Sequence, residues 1–419
     1  MRSLFLLLVL AAANAASQPL YFPPASNDAW ERIAPSQLGW CAEKLDSLVS
    51  YGQRSDTKAL IILKDGKIAF ERYFGTFTKD SVWYWASAGK TVTSVLIGVA
   101  QREGLLDITK SSATYLGSNW SSCTPQQESK ITVRHHLTMT TGIGFERSND
   151  DCTKPECLTY RAEPGTIWDY HNACYLLLQD MVAKATGVTY QSYYSTKLAK
   201  PLAMPGLWIN GTLWSKPLAM ARFGLMLLAG GVWNGDTIIT DREYFNAMIS
   251  TSQQLNKSYG YLYWLNGKGS FMQPSIPFVY PRDLVPSAPK DMYAGMGKND
   301  QRVYVVPSQR MVVVRLGNPA DTVAAAISGF DDEIWRYINA LPCNTTVDEA
   351  DEPSLRIWPN PASTTVLFDG DQAVVYDLIG QEVATSNTGS VDVSRLPTGN
   401  YMMVVFTGTV RSSTMLKVR

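Results

Sequence analysis

Apolar positions along this chain follow two rhythms. From about Ser87 to Glu103 they repeat every three or four residues: Val92, Val95, Leu96 and Val99 share one face, and Gly104 offers a stop. A second helical pattern runs from about Asn172 to Thr186, with Leu176, Leu177, Met181 and Val182 inward and Gly187 after it. Shorter helical stretches are predicted near Cys41–Tyr51 and Asp331–Leu341. Strand-like runs stand at Ala59–Leu63 and Lys67–Tyr73, joined by the hairpin signal Asp65-Gly66. Val303–Val306 and Met311–Leu316 flank a turn with Pro307 and Ser308. Strands at both ends with helices between them predict one α+β domain whose antiparallel sheet is assembled from distant parts of the chain.

After residue 343 the pattern changes. Residues 344–354 (NTTVDEADEPS) are acidic, polar and Pro-containing, and read as a linker. From Leu355 to Arg419 short apolar runs such as Ala373–Leu378 and Tyr401–Phe406 alternate with turn signals, Asp369-Gly370 and Gly380 among them. That is a small all-β module. The predicted organisation is a leader at 1–15, a main domain at 16–343, the linker at 344–354 and a β-module at 355–419.

Charge narrows the function classes. Lys+Arg and Asp+Glu both number 37, so the chain has no basic footprint for nucleic acid. The 3 His leave little room for a multi-histidine metal centre, and none is assigned. Arg2, the apolar run Leu4–Ala13 and Ala13-Asn14-Ala15 have the form of an export signal with its cleavage site, too short to span a bilayer. Export makes the 6 Cys candidates for bridges. Cys152 and Cys157 are close, with Pro155 between them, and are the expected pair. Cys41, Cys123, Cys174 and Cys343 are left unassigned, and Cys174 also reads as a plain buried thiol.

The most informative segment is Trp85-Ala86-Ser87-Ala88-Gly89-Lys90-Thr91. Ser87 and Lys90 are one turn apart at a helix start. A serine hydroxyl needs a base beside it to attack a carbonyl. A lysine serves once burial and the positive helix end lower its proton affinity. Unpaired first-turn N–H groups can hold an oxyanion. The same four residues also describe a helix cap followed by a surface lysine. A phosphate-binding loop is excluded because Tyr84 stands where its first Gly belongs. A G-x-S-x-G elbow is excluded because it needs a His late in the chain, and the last is His171. Two further segments stand out. In Tyr170-His171-Asn172 a phenol is poised before a helix, able to relay protons beside a Lys. Tyr293-Ala294-Gly295-Met296-Gly297-Lys298 carries paired glycines that suit close approach of a backbone or a ligand, or a bulge. His135-His136 reads as structural.

Taken in order, Ser87-x-x-Lys90, Tyr170-x-Asn172 and the Gly-rich strand resemble the serine β-lactamase and penicillin-binding-protein superfamily. The branch with Y-x-N as second motif fits best: class C β-lactamases, D-Ala-D-Ala carboxypeptidases, family VIII esterases and 6-aminohexanoate-dimer hydrolases. Thr132–Gly142 is similar to the family's "RHLLTMTSG" stretch and Glu163–Tyr170 to its "PPGTxWxYSN" stretch. Arg222-Phe223-Gly224 and Val303–Pro307 fit as well, so the resemblance covers about residues 40–342. It implies an antiparallel sheet flanked by helices, with a helical subdomain. It makes Ser87 the acylated nucleophile, with Lys90 and Tyr170 as proton-transfer partners. Asn172 would hydrogen-bond the substrate amide or the Lys, and the N–H groups of Ser87 and Lys298 would form the oxyanion hole if Gly297 matches the family's Gly. The family's third motif usually opens with Lys or His, which in β-lactamases helps hold the substrate carboxylate. Here that position is Gly295.

The tail has its own resemblance. Trp358-Pro359-Asn360-Pro361, Val375–Gly380 and Leu396–Tyr401 are similar to a type IX secretion C-terminal sorting domain, an Ig-like β-sandwich. Together the two resemblances imply a secreted or cell-surface serine hydrolase acting on a small or peptide-like ester or amide. They also imply a secretion-machinery partner at the outer membrane. No cofactor is implied, because Ser, Lys and Tyr suffice for the chemistry. The alternatives are a β-lactamase or D-Ala-D-Ala carboxypeptidase, or a catalytically silent binding protein on the same fold. Trp83, Trp85, Trp168 and Trp264 read mainly as core, with an apolar acyl pocket as their other use.

Overall fold

The computed structural model describes residues 19–26, 29–144, 149–320, 327–343, 355, 357–378, 380–408 and 410–419. The leader, 1–15, and the linker, 344–354, lie outside the described residues. A six-stranded antiparallel sheet carries the main domain. The main elements are α1 (Ala42–Arg54), β1 (Thr57–Lys64), β2 (Lys67–Tyr73), α2 (Lys90–Arg102), α3 (Asn172–Thr186) and α4 (Pro217–Leu228). They continue with β3 (Trp264–Leu265), β4 (Phe271–Gln273), β5 (Ile276–Tyr280), β6 (Tyr293–Gly297), β7 (Gln301–Val306), β8 (Met311–Gly317) and α5 (Gly329–Asn339). The strand order is β3-β6-β7-β8-β1-β2. The first and last strands of the domain meet at its centre, with Ile62 opposite Val313.

β7 and β8 are buried along their whole length, because helices cover both faces of the sheet. Val303 and Val312 face α4, where Gly224 lets the helix approach so closely that an added Cβ would lie 2.5 Å from Val312. Tyr304, on the opposite face by strand alternation, packs edge-on against Trp335 of α5. On that α5 face Arg302 and Arg315 stand directly opposite each other across β7 and β8. Like charges so paired repel, and the carboxylates of Asp300 and Asp331 sit with them.

The helical part packs against the start of α2. This helix is buried from Lys90 through Ala100 on every face, not only on the Val92–Val99 stripe. Its predicted start is split: Ala86–Gly89 is a tight 3-10 turn and the α-helix begins at Lys90. In α3 the inward set is Ala173, Cys174, Tyr175, Leu177, Leu178, Met181 and Val182, with Leu176 only half-buried. Between β3 and β6 the chain forms the hairpin β4–β5.

Two disulfides are present. Cys152–Cys157 is the expected pair, with sulfurs 2.08 Å apart. Cys41–Cys343, at 2.06 Å, ties the residue before α1 to the chain beyond α5. Cys123 and Cys174 are free and buried. Beyond the main domain, β-strands form a three-stranded and a four-stranded sheet. Between them lies a separate core that includes Val366, Phe368, Val375, Met403, Val405 and Leu416. Strand alternation turns Met402 and Val404 the other way, into the main core. On that side Tyr376 also meets Phe278 of β5, with ring centroids 5.8 Å apart.

Candidate active site

Ser87 sits in the 3-10 turn ahead of α2, preceded by Ala86 at φ 47°. Left-handed backbone is unfavourable for a residue with a Cβ and persists where the surroundings enforce it. Here the enforcement is visible. Trp85 is fully buried, its N–H donates to Leu213 O at 2.8 Å and its Nε1 donates to Ser215 Oγ at 2.8 Å. From the other side β6 presses on the turn. A Cβ at Gly297 would lie 2.5 Å from Trp85 O and 2.9 Å from Ala88 N. The glycine pair therefore marks close approach of a backbone.

Lys90 Nζ donates to Ser87 Oγ at 2.9 Å and to Asn172 Oδ1 at 2.8 Å. The amine lies over the ring of Tyr175 at 4.5 Å and that of Tyr170 at 5.0 Å. Burial pushes Lys90 down to about 7, against the pull of Asp151 and Asp150. Burial also pushes the Tyr170 phenol well up, opposed by a hydrogen bond with Ser87 and helped by Asp150. A nearby ammonium would draw Tyr170 toward phenolate, but desolvation is the larger effect. Tyr170 is held protonated and stacks on Trp264, centroids 6.2 Å apart, with Trp168 and Tyr259 around them.

Ser87, Lys90, Tyr170 and Asn172 are thus brought together, with Gly295 and Gly297 at their back. Gly295 does not open toward a substrate. A Cβ there would lie 3.0–3.1 Å from Val303, Ala88 O and Thr91. Lys298 follows the strand and is exposed. Cys152 and Cys157 lie on a loop beside the cluster. His136 and His135 are structural in geometry: His136 Nδ1 bonds Cys174 O at 2.8 Å, and His135 Nδ1 accepts from Thr132 N at 3.1 Å.

Sequence reasoning missed two parts of this cluster, Asp150 with Asp151 and Tyr175, while the apolar pocket it allowed for Trp168 has a counterpart in a neighbouring cavity that none of Ser87, Lys90, Tyr170 and Asn172 lines. Asn172 Nδ2 donates to Asp150 Oδ2 at 2.9 Å, and Asp151 adjoins it. Tyr175 supplies a second aromatic face to Lys90. A cavity of about 310 Å³ opens beside Trp168, walled by Leu255, Met272, Ile276 and Val279. Two acids before a Cys carry no motif. Only the i, i+3 spacing of Asn172 and Tyr175 hinted at a shared helix face.

A family profile described as Beta-lactamase matches residues 45–329, and one described as a secretion system C-terminal sorting domain matches residues 356–418. The chain is 24% identical over 159 residues to a Bacillus subtilis (strain 168) protein provisionally assigned as penicillin-binding protein PbpX, a match covering 34% of this chain and 39% of that protein. Among solved structures, a provisional 6-aminohexanoate-dimer hydrolase from Bacillus anthracis is 18% identical at a TM-score of 0.55, covering 77% of this chain and 86% of that one. An octameric penicillin-binding protein homologue from Pyrococcus abyssi is 16% identical at a TM-score of 0.53, covering 90% and 96%. At these identities the structural likeness speaks to the fold.

Proposed function

The chain belongs to the beta-lactamase family, and on that premise we propose that it is an exported serine hydrolase that cleaves an ester or amide through an acyl-enzyme on Ser87. The observation that carries this reading is the 2.9 Å contact between Lys90 Nζ and Ser87 Oγ, with the amine buried and poised near neutrality. In its neutral form Lys90 takes the hydroxyl proton as Ser87 Oγ attacks the substrate carbonyl. The N–H groups of Ser87 and Lys298 hold the resulting oxyanion. Tyr170, protonated, passes a proton to the leaving alcohol or amine and is resupplied by the Lys90 ammonium. Water then attacks the acyl ester, giving a proton to the neutral Lys90 as it does so. The C–O bond to Ser87 breaks as the Lys90 ammonium returns that proton to Ser87 Oγ, which restores the hydroxyl and the neutral amine.

Gly295 supports a substrate other than a penicillin. The family's carboxylate-holding cation has no counterpart at that position, and a side chain there would press on Val303, Ala88 O and Thr91. The cavity beside Trp168 suits an apolar part of an acyl or alcohol group. The tail supports export through a secretion system that reads a C-terminal signal, in keeping with the leader.

Intact-protein mass spectrometry after exposure to a fluorophosphonate, and separately to a penicillin, tests this. A fluorophosphonate adduct that Ser87→Ala abolishes, without a penicillin adduct, is the expected result. Adducts with both would move the protein toward penicillin recognition. Adducts with neither would point to a silent binding protein.

A further inference from the structure

We propose that Asp150 is a positioning residue of this site, acting through Asn172 to aim Lys90 at Ser87 and to set its charge. The inference rests on the hydrolase reading above. Four groups form one chain: Asp150 Oδ2, Asn172 Nδ2 and Oδ1, Lys90 Nζ, Ser87 Oγ, with links of 2.9, 2.8 and 2.9 Å. Each link has a direction. The Lys90 ammonium can only donate, whereas its neutral amine can donate or accept, so Lys90 alone does not fix which end of Asn172 faces it; in the structure that end is the oxygen. The nitrogen end then needs an acceptor, and an ionised carboxylate accepts only. Asp150 therefore selects one of the two amide orientations. With Asn172 Oδ1 fixed, one N–H of the neutral amine is committed to it, and the lone pair is left for the Ser87 hydroxyl.

Asp150 is itself held. Its carbonyl accepts from Ala173 N at 2.7 Å, in the first turn of α3, where a carboxylate is favoured by the helix dipole. The loop carrying it is closed by Cys152–Cys157 just beyond. The groups that face Lys90 are Ser87 on its own segment, Tyr170, Asn172 and Tyr175 from α3 and the turn before it, and Asp150 and Asp151 from the loop. Only the last two are carboxylates, so they are the charged groups that favour the ammonium.

Two substitutions separate the two jobs. Asp150→Asn keeps an oxygen for Asn172 to donate to and removes the charge. Asp150→Ala removes both. The pH dependence of kcat/KM on an activated aryl ester is measured for each. In Asp150→Asn the acidic limb should move to lower pH by about half a unit or more, with at least a tenth of the maximal rate kept. In Asp150→Ala the same shift should come with a loss of about 30-fold or more in kcat. Should Asp150→Ala fail to fold, Asp150→Asn carries the test through its limb alone. Ser87-dependent hydrolysis with an unshifted limb in Asp150→Asn would overturn the Asp150 role and leave the hydrolase reading standing. Full activity in Ser87→Ala would remove both.

Discussion

Among the cations buried in the main domain, the pair Arg302 and Arg315 and the single Lys90 are treated in opposite ways. Arg302 and Arg315 face each other across the sheet and are surrounded by acceptors. Arg302 reaches Asp331 through Nε and Nη2 and Asp300 at 2.8 Å. Arg315 reaches backbone carbonyls of Asn299, Asp300 and Asn318. Burial, the largest single influence, works against the charge of Arg302, but Asp331, Tyr304 and Asp300 together outweigh it, so its affinity for the proton rises. Arg315, without a carboxylate of its own, is pushed down to about 10 by burial, against Asp300, and stays charged. Lys90 is buried as deeply but its direct partners are neutral: a hydroxyl, an amide oxygen and two aromatic faces. Arg302 keeps its charge through carboxylates and Arg315 through a ring of carbonyls and a guanidinium that starts from a higher value, whereas the less basic Lys90 among neutral partners is brought near neutrality, as its proposed role as a base requires.

The sharpest break between the two is to delete each cation. Lys90→Met keeps the apolar stem and removes the nitrogen. Ester turnover and the rate of fluorophosphonate labelling should fall by about 10⁴-fold or more, while the melting temperature holds or rises, since no buried amine has to be desolvated. A large loss of stability would show that Lys90 is a structural cation after all.

Arg302→Met should do the reverse. It strands Asp331 and Asp300 in the core, which costs about 3–5 kcal/mol, read by denaturant unfolding. Labelling of Ser87 well below the melting point should survive. The third test stays on the structural side. Cys41–Cys343 ties α1 to α5 over the face that holds the arginines. Cys41→Ser should cost about 2–4 kcal/mol and leave the reactivity of Ser87 untouched. Loss of labelling in either variant under folded conditions would mean that the two regions are coupled.

The contrast between these regions also explains what could be read from the chain. The Ser87–Lys90 pair on which the proposal rests was legible because its spacing is local: three residues at a helix start. The hairpin β1–β2 was legible from Asp65-Gly66, and β7 and β8 from β-branched runs around a Pro-Ser turn. The tail strands were legible from short apolar runs bounded by turn signals, with Gln372–Tyr376 and Gly399–Thr407 close to the expected runs. What could not be read depends on distance in the chain. Cys41 and Cys343 are separated by 302 positions, and no spacing rule joins them. Asp150 reaches Asn172 only because the loop folds back onto the first turn of α3. Met402 and Val404 look like the outer face of a module until the main domain covers them. The hairpin β4–β5 was hidden by Gly, Pro and Ser in a stretch that reads as loop.

The smallest effect gives the cleanest test of why Lys90 differs. Its ordinary value of 10.5 falls to about 7 in the folded chain. Between those two values the unfolded chain holds one more proton than the folded one, so stability rises with pH across that window. The penalty is present in full below about 7 and is relieved as pH climbs toward 10.5. One proton gives a slope of about 1.4 kcal/mol per unit at most. Buried tyrosines such as Tyr170 and Tyr175, whose phenols burial pushes up, pull the other way once unfolded tyrosines ionise near 10. Denaturant unfolding at pH 7–9 avoids that region. The stability difference between the parent chain and Lys90→Met should shift in favour of the parent by about 1 kcal/mol per unit across it. Catalysis should rise through the same pH 7 step, because the neutral amine is the base. A flat difference would mean that Lys90 stays charged in the folded chain, and the distinction between it and the arginines would fall.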